Sequence, residues 1–233
     1  MARKDTTSIL ERTNSKGRKV NGGMHRQPAY RRGKQMLEKH GFKSPRLYHI
    51  VIMDGDAEGQ PDSDRFLRAV KAVCRALRDQ GIRHSWRSAL ELDDEKGLHL
   101  HVFILVENAP VNPCSIITSN ANTEKRKRPK KPDGTLGKPY RTLGDIMRRN
   151  MLRFHIAKPQ APIHRTAEGK LLNYATLGSE AKREDCFQWI SYIYKARSKP
   201  AHIRGIYSGS RDSKDQGKLD TEYDDNQDGK GAA

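Results

Sequence analysis

The stretch Gly97-Leu98-His99-Leu100-His101-Val102-Phe103-Ile104-Leu105-Val106-Glu107 constrains this chain more than any other. Its apolar, β-branched content reads as a strand over residues 98 to 106. Side chains alternate across a strand, so His99 and His101 share one face while Leu98, Leu100, Val102 and Ile104 share the other. Burying the leucine face on helices would leave both imidazoles on an accessible face of the sheet. Residues 82 to 92 read as a second strand, joined to the first by the polar loop Asp93-Asp94-Glu95-Lys96-Gly97, which predicts a hairpin. With that loop, Leu92 pairs with Leu98, Glu91 with His99 and Leu90 with Leu100. The parity is self-consistent: the leucines share one face, and Glu91, His99 and His101 the other. Directly paired residues have Cβ atoms about 4.5–5.5 Å apart, within reach of a common ion.

Two imidazoles and one carboxylate leave coordination positions open, as catalytic sites do and structural sites do not. The mixed nitrogen and oxygen set suits Mn²⁺ or Mg²⁺, with zinc as an alternative. A bare His-x-His is a weak signal, because two histidines on a strand are often polar surface. The glutamate of matching parity is what strengthens it.

Charge points to the partner. The 233 residues carry 45 Lys and Arg against 28 Asp and Glu, a formal net charge of +17. Such a field draws in polyanions, nucleic acid above all, although charge does not separate DNA from RNA or from a generic basic surface. Hydrophobic residues make up 34% of the chain, and the mean hydropathy is −0.90. That fits one domain with a modest core and appendages. No apolar stretch reaches the length of a membrane span and no apolar signal segment opens the chain, so the expectation is a cytoplasmic protein. Cys74, Cys114 and Cys186 are scattered, which argues against a disulfide framework or a cysteine-rich zinc site.

Residues 1–44 read as a basic arm with a short helix near Arg31 to His40. Arg46 to Met53 reads as the first core strand. Asp62 to Gln80 carries Phe66, Leu67, Val70, Val73, Cys74 and Leu77 at helical spacing, capped by Asp62 or Ser63 and ended by Gly81. Residues 107–140 form a long insertion that includes the run Lys125-Arg126-Lys127-Arg128-Pro129-Lys130-Lys131, either a phosphate grip or a solvated loop. Thr142 to Ile156 and Phe187 to Lys195 read as helices. Residues 208–233 are Gly, Asp, Lys and Ser rich and read as a disordered tail. Gly134-Thr135-Leu136-Gly137-Lys138-Pro139 fails the Walker pattern, so an ATP-driven motor is not expected in this chain.

On the last helix, Cys186, Phe187, Trp189, Ile190, Ile193 and Tyr194 form one broad apolar side. Tyr194 therefore reads as core, whereas Tyr192 falls at the stripe's edge and shares a surface with Lys195. A phenol with a neighbouring ammonium beside a metal suits attack on a phosphodiester. Taken alone, such a pair is more often one amphipathic tyrosine and one solvated lysine. His49 on the first strand, and Trp86 and Trp189 as base-stacking platforms, are weaker candidates; structural roles explain all three as well.

Together, His99-Leu100-His101, the preceding Glu91 and the later Tyr192-Ile193-Tyr194-Lys195 resemble the HUH endonuclease superfamily, in the rolling-circle replication initiator arrangement. The string Ser191-Tyr192-Ile193-Tyr194-Lys195 with Gly205-Ile206-Tyr207-Ser208-Gly209-Ser210-Arg211 also looks like the inovirus Gp2-like initiators. The resemblance spans residues 45–207. Histidines before tyrosine is similar to initiators and single-domain transposases, and the lysine three residues after the tyrosine is similar to initiators. The insertion is long for the family, the first strand lacks the family's Thr-rich opening motif, and a second tyrosine at i+4 is missing because position 196 is Ala196.

The resemblance implies an α+β fold, with a central antiparallel sheet flanked by helices in an RRM-like palm. It implies Glu91, His99 and His101 as metal ligands, and Tyr192 as a nucleophile that leaves a 5′-phosphotyrosine and a free 3′-hydroxyl, assisted by Lys195. The implied substrate is a single-stranded origin or hairpin of a phage or plasmid, with a host helicase and polymerase as partners and no membrane. Two rivals stand beside it: a transposase using the same chemistry, and a non-catalytic basic nucleic-acid-binding protein.

Overall fold

Backbone pairing around the His-Leu-His strand organises the molecule. The computed structural model describes residues 6–9, 12–13, 19–20, 23–38, 40–55, 63–93, 97–107, 131–137, 141–159, 172–194 and 207–209. Four short strands come first: β1 (Thr6–Ile9) pairs with β4 (Gly23–Arg26), and β2 (Arg12–Thr13) with β3 (Lys19–Val20), all antiparallel. They lead into helix α1 (Gln27–Glu38) and strand β5 (Arg46–Asp54). Then follow helix α2 (Ser63–Asp79) and strands β6 (His84–Asp93) and β7 (Gly97–Val106). The chain continues through helix α3 (Leu143–Arg149), strands β8 (Leu152–Ala157) and β9 (Ala175–Thr176), and helix α4 (Glu180–Ser191). A 3-10 turn (Tyr192–Tyr194) and strand β10 (Tyr207–Gly209) complete the described elements.

The main sheet is antiparallel in the order β10-β6-β7-β5-β8, and β9 pairs with the first residues of β5. The class is mixed α+β, as expected. Strand β5 is interior, flanked on both sides, so its near-continuous apolar sequence is buried on both faces. The even-numbered face (Tyr48, Ile50 and Ile52 with Leu98, Leu100, Val102 and Ile104) packs on α2 and α3 through Phe66, Val70, Val73, Leu77, Ile146 and Met147. Helix α2 keeps the predicted spacing, and Gly81, at φ +69°, ends it in the left-handed conformation that glycine adopts without strain.

The odd-numbered face corrects an expectation. It is not left open: Leu47, Ala89, Phe103 and Leu105 are covered by Met36 and Leu37 of α1 and by Cys186, Phe187 and Ile190 of α4, together with Ile193 and Tyr194 of the 3-10 turn. Helices therefore lie on both sides of the sheet. The helix expected near Arg31 to His40 starts earlier, and its end is packed into this second core rather than standing off as a loose arm.

A second correction concerns residues 142–156, read as one helix. Helix α3 stops at Arg149, and Leu152–Ala157 is a strand. Thr142 opens α3 with a reciprocal capping box to Asp145. Asn150 closes it, its Nδ2 donating to the Ile146 carbonyl at 2.8 Å, and Met151 turns at φ +54°. The next six residues then find unpaired backbone along β5 at His49–Asp54. That pairing joins segments about a hundred residues apart, and local apolar spacing cannot register it.

Of the basic arm, the paired strands β1–β4 are described and residues 1–5, 10–11, 14–18 and 21–22 are not; most of the 107–140 insertion with its basic run up to Lys130, and the tail beyond Gly209, also lie outside the described residues. Ser208 and Gly209, read as the start of that tail, belong to β10, which pairs with Arg87–Ala89 of β6. Among the described residues no helix is long and apolar enough to cross a membrane.

Candidate metal centre

The hairpin sets the centre's register. β6 and β7 pair Leu92 with Leu98, Glu91 with His99 and Leu90 with Leu100, the register deduced from the loop. One pair further along, His101 stands opposite Ala89 on β6 and Val51 on β5. Glu91, His99 and His101 consequently point into the odd-numbered face together. All three are buried, at 4%, 1% and 8% exposure. The expectation of accessible imidazoles is thus corrected: the helices on the odd face make this an interior site rather than an open surface.

Three ligand atoms, one from each side chain, lie within 4.8 Å of one another. Glu91 Oε2 is 3.4 Å from His101 Nε2 and 3.7 Å from His99 Nε2. A divalent cation with bonds of about 2.0–2.2 Å keeps its ligand atoms roughly 3–3.5 Å apart, so small movements of these side chains would seat one. The chemistry of the set also fits. His99 Nδ1 lies 3.0 Å from the Gly97 carbonyl, which can only accept, so Nδ1 donates there and Nε2 is the nitrogen that faces Glu91. A buried carboxylate between two imidazole nitrogens can hold a metal ion.

Around this core the structure adds His49 and Trp189, which the sequence offers only as lesser candidates. His49 Nε2 lies 2.9 Å from His101 Nδ1, and the His49 ring is stacked on Phe103 with centroids 4.1 Å apart. Trp189 of α4 stands edge-on to both rings. Burial, and then the neighbouring His101 and His155, hold His49 well below the ordinary imidazole range, against the opposing pull of Glu91. A signal was present in the sequence: His49 has the odd parity of Val51, but only the β5–β7 register shows that this parity matches the histidine pair. Strand β8 carries Arg153 and His155 on the same face, opposite Met53 and Val51, and both are exposed. They border the buried ligands with positive and titratable groups at the sheet's edge.

Helix α4 packs on this same face and ends where Tyr192 begins the 3-10 turn, which abuts β6. Tyr194 is buried in the second core, as its place in the apolar stripe predicts. The side chain of Tyr192 and the whole of Lys195 lie outside the described residues. Trp86 packs partly buried against the first core, so it is a core side chain here.

Comparison with known proteins finds no matching family model, no matching curated protein and no matching solved structure.

Proposed function

We propose that the chain is a DNA nicking and joining endonuclease that initiates rolling-circle replication of a phage or plasmid. One observation carries the reading: Glu91, His99 and His101 converge in a buried cluster on the sheet face covered by α4, the helix that leads into the turn starting at Tyr192. A divalent cation there, Mn²⁺ or Mg²⁺, would supply Lewis-acid polarisation of a phosphodiester. Tyr192 Oη would form the bond to phosphorus while the bond from phosphorus to the 3′ oxygen breaks. The phenol proton would leave to solvent or to the departing oxygen. The products are a 5′-phosphotyrosine and a free 3′-hydroxyl able to prime synthesis. Lys195 would offset charge as the phosphorane forms. Conserving the phosphodiester as a covalent adduct lets the strand be rejoined, which suits replication better than hydrolysis.

The buried centre favours single-stranded or hairpin DNA, whose backbone can be drawn past exposed Arg153 and His155; a rigid duplex would meet the flanking helices first. The net charge of +17 supports a polyanionic substrate. A host helicase and polymerase in the cytoplasm would complete the process.

The test is incubation of the full chain with single-stranded DNA and Mn²⁺, followed by a denaturing gel. An adduct that chelation prevents and that Tyr192→Phe abolishes supports the proposal. An adduct that survives in Tyr192→Phe removes Tyr192 from the role. Metal-independent binding with no adduct favours the non-catalytic binding protein instead.

A further inference from the structure

We infer that His49 is a positioning residue for the metal centre, accepting the Nδ1 proton of His101 and so fixing the tautomer and ring plane in which His101 presents Nε2 to a cation. The inference rests on reading Glu91, His99 and His101 as ligands.

The geometry is specific. His101 Nε2 faces Glu91 Oε2 at 3.4 Å, and its other nitrogen, Nδ1, faces His49 Nε2 at 2.9 Å. A neutral imidazole has one donor nitrogen and one acceptor nitrogen. If Nε2 binds a cation, Nδ1 must carry the proton, and His49 Nε2 is the atom placed to receive that hydrogen bond. His99 meets the same need with the Gly97 carbonyl. Each histidine therefore has its outer nitrogen satisfied, one by backbone and one by a second imidazole.

A packing role does not account for His49. Its Nδ1 is buried with no hydrogen-bond partner among the described residues. A phenylalanine at this position would keep the stack on Phe103 and the edge contact with Trp189 while removing that unpartnered nitrogen. Placing a histidine where an aromatic hydrocarbon would pack at lower cost points to the one thing phenylalanine lacks, the acceptor at Nε2. The clamp between Phe103 and Trp189 holds the acceptor in place. Because Trp189 belongs to α4, the same clamp ties His101 to the helix that leads into Tyr192.

The experiment is a calorimetric Mn²⁺ titration of the full chain in three forms: wild type, His49→Phe and His49→Gln, whose side-chain amide can restore an acceptor near the Nε2 position. His49→Phe is expected to weaken Mn²⁺ binding about 10–100-fold with an unchanged or raised melting temperature. His49→Gln is expected to recover most of that loss. Equal affinity of wild type and His49→Phe overturns the inference and leaves the ligand reading intact, as does His49→Gln binding no better than His49→Phe. Wild type without saturable Mn²⁺ binding removes the ligand reading and the inference together. A second measurement does not depend on any variant folding. Long-range ¹H–¹⁵N correlation of the Zn²⁺-loaded wild type should show the His101 proton on Nδ1 and an unprotonated His49 Nε2. A proton on His49 Nε2 overturns the inference.

Discussion

At the scale of single residues, Glu91 holds the centre together. It is the one carboxylate among the three candidate ligand side chains, and its Oε2 faces both Nε2 atoms. Glu91→Gln keeps the shape and removes the charge. Mn²⁺ affinity should fall by more than the about 100-fold upper end of an outer-shell change, measured in the same titration. Tyr194 sits in the same sequence string as Tyr192 but is fully buried, so Tyr194→Ala should cost about 3–5 kcal/mol of folding stability in urea denaturation. Its remaining folded fraction should still form the DNA adduct if Tyr192 is the nucleophile. The thiols of Cys74 and Cys186 are also buried. Burial pushes Cys74 up to about 12, and burial with Asp185 pushes Cys186 higher than the ordinary thiol range. In a Cys114→Ser background at pH 8, native alkylation of both should run roughly a thousandfold slower than in urea, because so little thiolate is present. His84 adds a pH dependence. Burial first, then Arg78, lowers its pKa against a hydrogen bond to the Ile82 carbonyl. The unfolded state then binds more protons below about pH 6.5, so stability should fall as pH drops through that value, by at most about 1.4 kcal/mol per pH unit from this group. Denaturation at pH 7.5 and 5.5 should show a smaller difference in His84→Gln; an unchanged difference would assign the acid sensitivity elsewhere.

At the scale of elements, caps and close approaches decide where helices sit. Thr142 accepts from the Asp145 N–H while Asp145 accepts from Thr142, closing the first turn of α3. Thr142→Ala should cost about 0.5–2 kcal/mol. Gly33 of α1 tests the second core. In a free helix, glycine to alanine stabilises by up to about 1 kcal/mol. Here a Cβ at position 33 would run into the Tyr194 ring, so Gly33→Ala should instead destabilise by about 1–3 kcal/mol. A rise in melting temperature would mean that α1 does not press on the 3-10 turn. The elements also show what periodicity can and cannot disclose. The hairpin's register followed from side-chain parity and one polar loop, both local. Strand β8 did not, because the apolar spacing of Leu143, Ile146 and Met147 runs on to Phe154 as though the helix continued. Its true partner is β5, far away in the chain.

At the scale of the molecule, the proposed nicking function separates two properties that charge alone would merge. Backbone binding should be electrostatic and salt-sensitive, whereas adduct formation should depend on the metal. Raising salt from 50 to 200 mM should weaken single-stranded DNA binding by at least tenfold in fluorescence anisotropy. Removing metal with a chelator should stop adduct formation while leaving most binding in place. Equal loss of both would tie binding to the centre itself.

Read as a string, the chain already specified the hairpin, the shared face of Glu91, His99 and His101, the α2 stripe and the burial of Tyr194. Each follows from alternation or helical spacing within a few turns of backbone. Long-range packing supplied the rest: the second helical layer that buries the histidine face, the strand at 152–157, and His49 against His101. Those depend on which strands lie side by side, and hydrogen-bond pairing between distant segments leaves no periodic trace in either partner.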